Sequence, residues 1–140
     1  MKSRSLLLLI ILPVLTGCQH PLTYAYLMTH PAALEKKVAY CQRGGVSNQD
    51  DESCKLIMHA ATDFMALLRE QQFDPEKFGN KIMQAEDACI SAHEKMVQAK
   101  RDSLMSDKAK ASYLAAKQAY DEQYEQVRIL LAVASTSSPE

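Results

Sequence analysis

The run DDESCKLIMHAATDFMALLRE, residues 50–70, decides the fold. Asp50, Asp51, Glu52 and Ser53 put capping and acidic groups where the positive end of a helix dipole favours them. Behind them Cys54, Ile57, Met58, Ala61, Phe64, Met65 and Leu68 recur at steps dominated by three and four, while Lys55, Asp63, Arg69 and Glu70 lie mainly off that face. The spacing predicts an amphipathic helix over 52–71, with Cys54 in its first turn on the core side.

Working upstream, Pro31 suits a first helical position, because it lacks only an N–H that would be orphaned there, and Thr29 stands where a cap belongs. Leu34, Val38 and Cys41 form one apolar stripe, and Gly44-Gly45 ends a helix over 30–43. Cys41 and Cys54 thus lie on core-facing stripes at the two ends of a polar, glycine-containing stretch. A disulfide between them is expected, and closing so short a loop should stabilise the fold by about 3 kcal/mol in the chain-entropy account. Before this pair, Thr23 is placed to cap a short turn over 24–27 in what reads as a loosely packed tether.

Downstream, the break at Gln71-Gln72-Phe73 is followed by Asp74-Pro75, a capping carboxylate and a proline that restart a helix. Phe78, Ile82, Ala85, Cys89, Ala92, Met96 and Ala99 alternate by four and three, a heptad seam rich in alanine. A second row, Met83, Ile90, Val97 and Leu104, repeats every seven residues beside it and widens the face, so this helix is expected to bury more than a two-stranded seam. Ser103, Ser106 and Lys110 then occupy the seam before Tyr113, Tyr120, Tyr124, Val127 and Leu131 resume it. Either the chain turns around residues 102–107 into an antiparallel hairpin, or one very long helix runs through. Ser106-Asp107 as a new cap and the polar seam favour the turn, and the retained phase favours the single helix.

The 140 residues carry 16 Lys+Arg against 17 Asp+Glu, so no basic surface for nucleic acid is expected. Four glycines, no tryptophan and few aromatics speak against a sandwich or barrel. The expected class is all-α: a small helical bundle with a disulfide-stapled helix pair, followed by a long Ala-rich, coiled-coil-like hairpin or one long helix.

At the start of the chain Lys2 and Arg4 precede an apolar run, residues 6–12, that leads into Leu15-Thr16-Gly17-Cys18. About ten apolar residues interrupted by Pro13 fall short of the roughly twenty that a span needs, and small residues before a cysteine suit a signal peptidase. This is the layout of a bacterial lipoprotein signal. It implies cleavage between Gly17 and Cys18 and a lipid on Cys18, as a diacylglyceryl thioether and an acylated amine. Each buried methylene contributes about 0.8 kcal/mol, so several acyl chains would hold the chain on a membrane facing the periplasm. Gln19 follows the lipid site where an aspartate would favour inner-membrane retention, and inner and outer membrane both stay open. The expected layout is a signal over 1–17, a lipidated tether over 18–28, a helical domain over 29–134 with helices near 30–43, 52–71, 75–103 and 107–134, and a frayed tail over 135–140. With Cys18 lipidated and Cys41 paired with Cys54, Cys89 remains as a buried thiol or as a link to a second copy.

Site chemistry is sparse. Cys54, His59, Cys89 and His93 are the candidate zinc ligands, but only Cys89 and His93 have a good spacing, and no metal site is expected. Asp50, Asp51, Glu52, Asp74, Glu86 and Asp87 read as caps or solvent-facing carboxylates. There is no phosphate loop, nucleophile elbow or His-Glu-x-x-His element, so no catalytic residue and no cofactor beyond the lipid is expected. Tyr113, Tyr120 and Tyr124 either close a helical hairpin or present an interface. Met58, Met65, Met83 and Met96 read first as core filler and second as a plastic groove.

The run of residues 26–34, YLMTHPAAL, then Cys41, Ser47-Asn48 and Cys54, resembles the EexN-type entry-exclusion lipoproteins. The likeness covers roughly residues 24–61, and the extension from Asp74 onward exceeds what such proteins usually carry. The resemblance implies a lipoprotein that blocks redundant DNA uptake between conjugating cells. Its partner would be a membrane component of a conjugation or type IV secretion apparatus. An accessory envelope lipoprotein, assembling through its coiled coil with itself or with a secretion complex, is the alternative; oligomeric state stays open.

Overall fold

A computed structural model describes residues 22–44, 51–104, 106 and 109–136, and these are helical nearly throughout. The order is α1 Tyr24–Thr29, α2 Pro31–Arg43, α3 Glu52–Phe73, α4 Pro75–Ser103 and α5 Ala109–Thr136. The chain is all-α, with a stapled helix pair followed by a long antiparallel hairpin. Cys18 and its cleavage site at Gly17, the loop centre 45–50 and the tail 137–140 lie outside the described residues.

The caps explain the boundaries. Thr23 accepts the Tyr26 N–H at 3.1 Å, Asp51 accepts that of Ser53 at 3.0 Å, and Asp74 accepts that of Lys77 at 3.0 Å with Pro75 behind it. Two sequence expectations need correction here. Thr29 belongs to the last turn of α1, its hydroxyl donating to the carbonyls of Ala25 and Tyr26, and His30 is the N-cap residue of α2 without a side-chain cap bond. Gln71-Gln72-Phe73 is no break, since α3 runs through Phe73 and only Asp74-Pro75 stops it.

The larger correction concerns the tether. Residues 24–28 form part of a docked helix, with Leu27 and Met28 fully removed from water. They join Leu34, Ile57, Phe64, Phe78, Leu130 and Val133 in one core shared by all five helices. Burying each such side chain contributes about 1.5–3 kcal/mol. α1 packs against both α3 and α5, which brings the end of the hairpin onto the stapled pair.

The second half of the chain is a hairpin. α4 ends where the Leu104 N–H turns back onto the carbonyls of Arg101 and Asp102, and α5 returns antiparallel. The ring of His93 meets that of Tyr120 at 5.2 Å, while nearer the stapled pair the Gln71 side chain donates to the Ala134 carbonyl at 3.2 Å. α5 extends through Ser135 and Thr136, whose hydroxyls bond back to Ala132 and Val133, so the tail begins later than expected. The seam residues of α4 are buried or half-buried, but the row of Met83, Ile90 and Leu104 is exposed and Val97 only half-buried. The expectation that α4 buries more than a two-stranded seam is thus corrected: its wide face is apolar without being covered, and α3 meets α4 on the other flank, near its start. There Glu70 pairs with Lys77 at 3.6 Å and accepts a hydrogen bond from Lys81. That bond and the two ammonium charges hold the Glu70 carboxyl below the usual carboxylate range.

Cys41 and Cys54 are bonded, 13 residues apart in sequence. Replacing both by serine should cost about 3 kcal/mol, read as a lower urea midpoint that reductant no longer shifts. Gly79 lies inside α4, and a Cβ there would meet nothing within 4 Å. Gly79→Ala should therefore raise stability by about 0.5–1 kcal/mol in the same titration.

Candidate functional site

α2 and α3 run antiparallel from the disulfide, and their facing stripes leave a groove between them. Leu34 and Val38 line one wall, and Ala61, Phe64, Met65 and Leu68 line the other. Pro31, Gln72 and Thr136 border it away from the disulfide. Its volume is about 680 Å³ and its lining is mainly apolar. The room exists because Ala32 and Ala61 stand where larger side chains would fill it. Glu35 is the charged residue of its lining and is exposed. Such a surface can accept apolar side chains of another molecule. Met65, one of the methionines read as groove or filler, lies in it, and Met58 is also partly exposed. Of the expected α3 stripe Cys54, Ile57 and Phe64 are buried and Ala61 and Leu68 half-buried, while Ala60 joins the buried centre in place of the exposed Met58 and Met65.

Beside this pair a polar cluster pins α1 to α3. The Tyr24 hydroxyl donates to Asp63 Oδ2 at 2.8 Å, and His59 Nδ1 stands 3.5 Å from the same oxygen. The Tyr24 and His59 rings pack with centroids 5.6 Å apart. Desolvation, then the hydrogen bond to the carboxylate and its charge, push the Tyr24 phenol from 10.0 up to about 12. The cluster was missed in the sequence, since Tyr24 and Asp63 are 39 residues apart.

The structure separates the three tyrosines. Tyr113 and Tyr120 are half-buried along the hairpin, whereas Tyr124 is exposed on the outside, its ring 5.9 Å from that of Tyr120. Cys89 is a free, half-buried thiol in α4. Cys54 is consumed by its disulfide, and among the described residues no three His, Cys, Asp or Glu side chains form a metal-binding group. Asp51 and Asp74 serve as helix caps, Glu52 lies in the first turn of α3, and Glu86 and Asp87 face solvent. Asp50 lies outside the described residues.

Tyr24→Phe should destabilise the fold by about 1 kcal/mol through loss of one hydrogen bond. Because the folded phenol titrates above the unfolded one, its contribution is complete below pH 10 and disappears as pH climbs through about 12. The variant should show a smaller loss of urea midpoint across that interval than the parent. No protein-family model matches the chain, and neither a curated protein nor a solved structure matches it significantly, so its function rests on the chemistry of its own residues.

Proposed function

We propose that this chain is a lipid-anchored envelope protein that acts by binding another protein at a membrane surface, making and breaking no bond. The observation that carries the reading is a disulfide in a chain whose first residues have the lipoprotein layout. Cys41–Cys54 belongs to an oxidising compartment, which is where a protein acylated at Cys18 would stand. Among the described residues no helix is long and apolar enough to cross a membrane, so the lipid on Cys18 is the proposed attachment.

The resemblance of residues 24–61 to EexN-type proteins gives the binding a purpose. The stapled pair, with its apolar groove, would meet a membrane component of a conjugation or type IV secretion apparatus and obstruct redundant DNA transfer. The alternative, an accessory envelope lipoprotein, draws support from the uncovered flank of the hairpin.

Two measurements test this. Cys18→Ser should move the protein from the membrane to the soluble periplasmic fraction, and an unchanged distribution would remove the anchor. Recipient cells expressing the parent chain should take up a related conjugative plasmid less often than cells expressing Cys18→Ser. Equal uptake would leave the accessory reading in place of entry exclusion.

A further inference from the structure

The hairpin of α4 and α5 has two long faces, and at its base, around Lys77, Lys81, Leu130 and Val133, α1 and α3 cover one of them. On the covered side Lys77 and Lys81 pair with Glu70, and Leu130 and Val133 enter the core. The other side begins one residue further round each helix. Met83, Ile90 and Val97 follow the seam residues Ile82, Cys89 and Met96, and Tyr124 and Leu131 follow Gln123 and Leu130. Since the helices run in opposite directions, that single step turns both rows to the same side of the hairpin. Met83, Ile90 and Leu104 are 58%, 59% and 83% exposed, and Leu131 is 46% exposed beside Leu130 at 2%. Large apolar side chains at seven-residue spacing along a bare helical face mark an interaction surface for another helical surface.

The charges beside the row say which surface. Glu86, His93 and Lys100 border it on one side, and Asp87, Glu94 and Arg101 on the other, all exposed. Both borders run from acidic to basic along α4, with His93 midway along the first and the sign changing between Glu94 and Arg101 on the second; the apolar row and both borders are centred on residues 93–94. A copy turned end for end about that point places Ile90 against Val97 and Met83 against Leu104. The same rotation sets Glu86 opposite Lys100 and Asp87 opposite Arg101, each pairing occurring twice. Glu94 faces its own copy at the axis, the one like-charge meeting along these borders. The axis also sets Leu114 of α5 level with Tyr124 of the copy. A bilayer surface would call for a uniformly basic border, which half of this border contradicts.

We propose that a second copy of this chain docks on this face, with the two α4 helices antiparallel about a two-fold axis at residues 93–94, so that two hairpins form a four-helix bundle. An isologous contact requires this self-complementarity, and both the apolar row and its charged borders meet the requirement. The inference needs only the folded hairpin and is independent of lipidation and of entry exclusion.

The test uses the purified full chain, kept in detergent where it fractionates with membranes, with mass measured by light scattering at about 10 µM, where an interface of ordinary size is populated. The parent should be a dimer. Lys100→Glu with Arg101→Glu turns four attractive pairs repulsive and should raise the dimer Kd roughly tenfold to a hundredfold with helicity unchanged. Adding Glu86→Lys and Asp87→Lys to that variant should restore the dimer. A monomeric parent, a double variant as dimeric as the parent, or a quadruple variant that stays monomeric would each overturn the proposal. So would cross-linking in cells that joins this face only to a different protein. Failure of the lipid reading is seen separately, as parent protein in the soluble fraction.

Discussion

Two adjacent side chains, Leu27 and Met28, hold the architecture together. They sit on a helix of six residues, too short to be stable alone, and are wholly buried only because α3 and α5 close over them. Without them the stapled pair and the hairpin would share a smaller contact, made chiefly by α3 against α4 and α5. The bond from Tyr24 to Asp63 and the disulfide at the far end of α3 act on either side of this wedge. Covalent, polar and apolar restraints therefore all bear on α3, while the distal hairpin depends on its own seam.

Long elements were legible in the sequence because each had a signal at both ends and a period between. Asp51 and Asp74 mark starts through one hydrogen bond each, and the step from Ile57 to Phe64 carries enough turns to define a face. The disulfide followed from two stripes that converge on one loop. The Thr23-capped turn of α1 was legible but its docking was not, because six residues hold less than two turns and an adjacent pair such as Leu27-Met28 carries no periodicity. Phase alone was ambiguous at the hairpin turn. Tyr113, Tyr120 and Val127 keep the register of the α4 seam, but Tyr124 and Leu131 in the same phase turn outward and Gln123 and Leu130 take their places, so continuity of phase does not distinguish a hairpin from a rod.

The groove and the bare flank of α4 were illegible for a different reason. Both are defined by what is missing: side-chain volume at Ala32 and Ala61 in one case, a covering helix in the other. Periodicity reports that Met83, Ile90 and Leu104 are apolar in register, and only the placement of the other helices, which meet α4 on the side of Lys77 and Lys81, leaves them exposed. The consecutive pair Leu130 and Leu131 makes the point within one turn. Identical side chains, one step apart, fall on opposite sides of the hairpin, one in the core and one outside it.

Docking of α1 also constrains how a lipid-anchored chain would stand on its membrane. Under the proposed anchoring, the five residues from Cys18 to Thr23 reach at most about 18 Å even when fully extended. The body around α1 is then held close to the headgroups, while the tip of the hairpin lies about 33 Å along the helices from Leu130 and Val133, at 1.5 Å per residue. The bare row runs along that projecting part. A two-fold axis at residues 93–94 falls on it, far enough out that two anchored copies approaching antiparallel would hold their stapled pairs at opposite ends of the bundle. Both lipids could then enter one flat membrane only if the bundle lay along the surface. The dimer and the anchor thus jointly favour a flat orientation, in which the α2–α3 groove stays near the bilayer, where a membrane-embedded partner would present its own exposed segments.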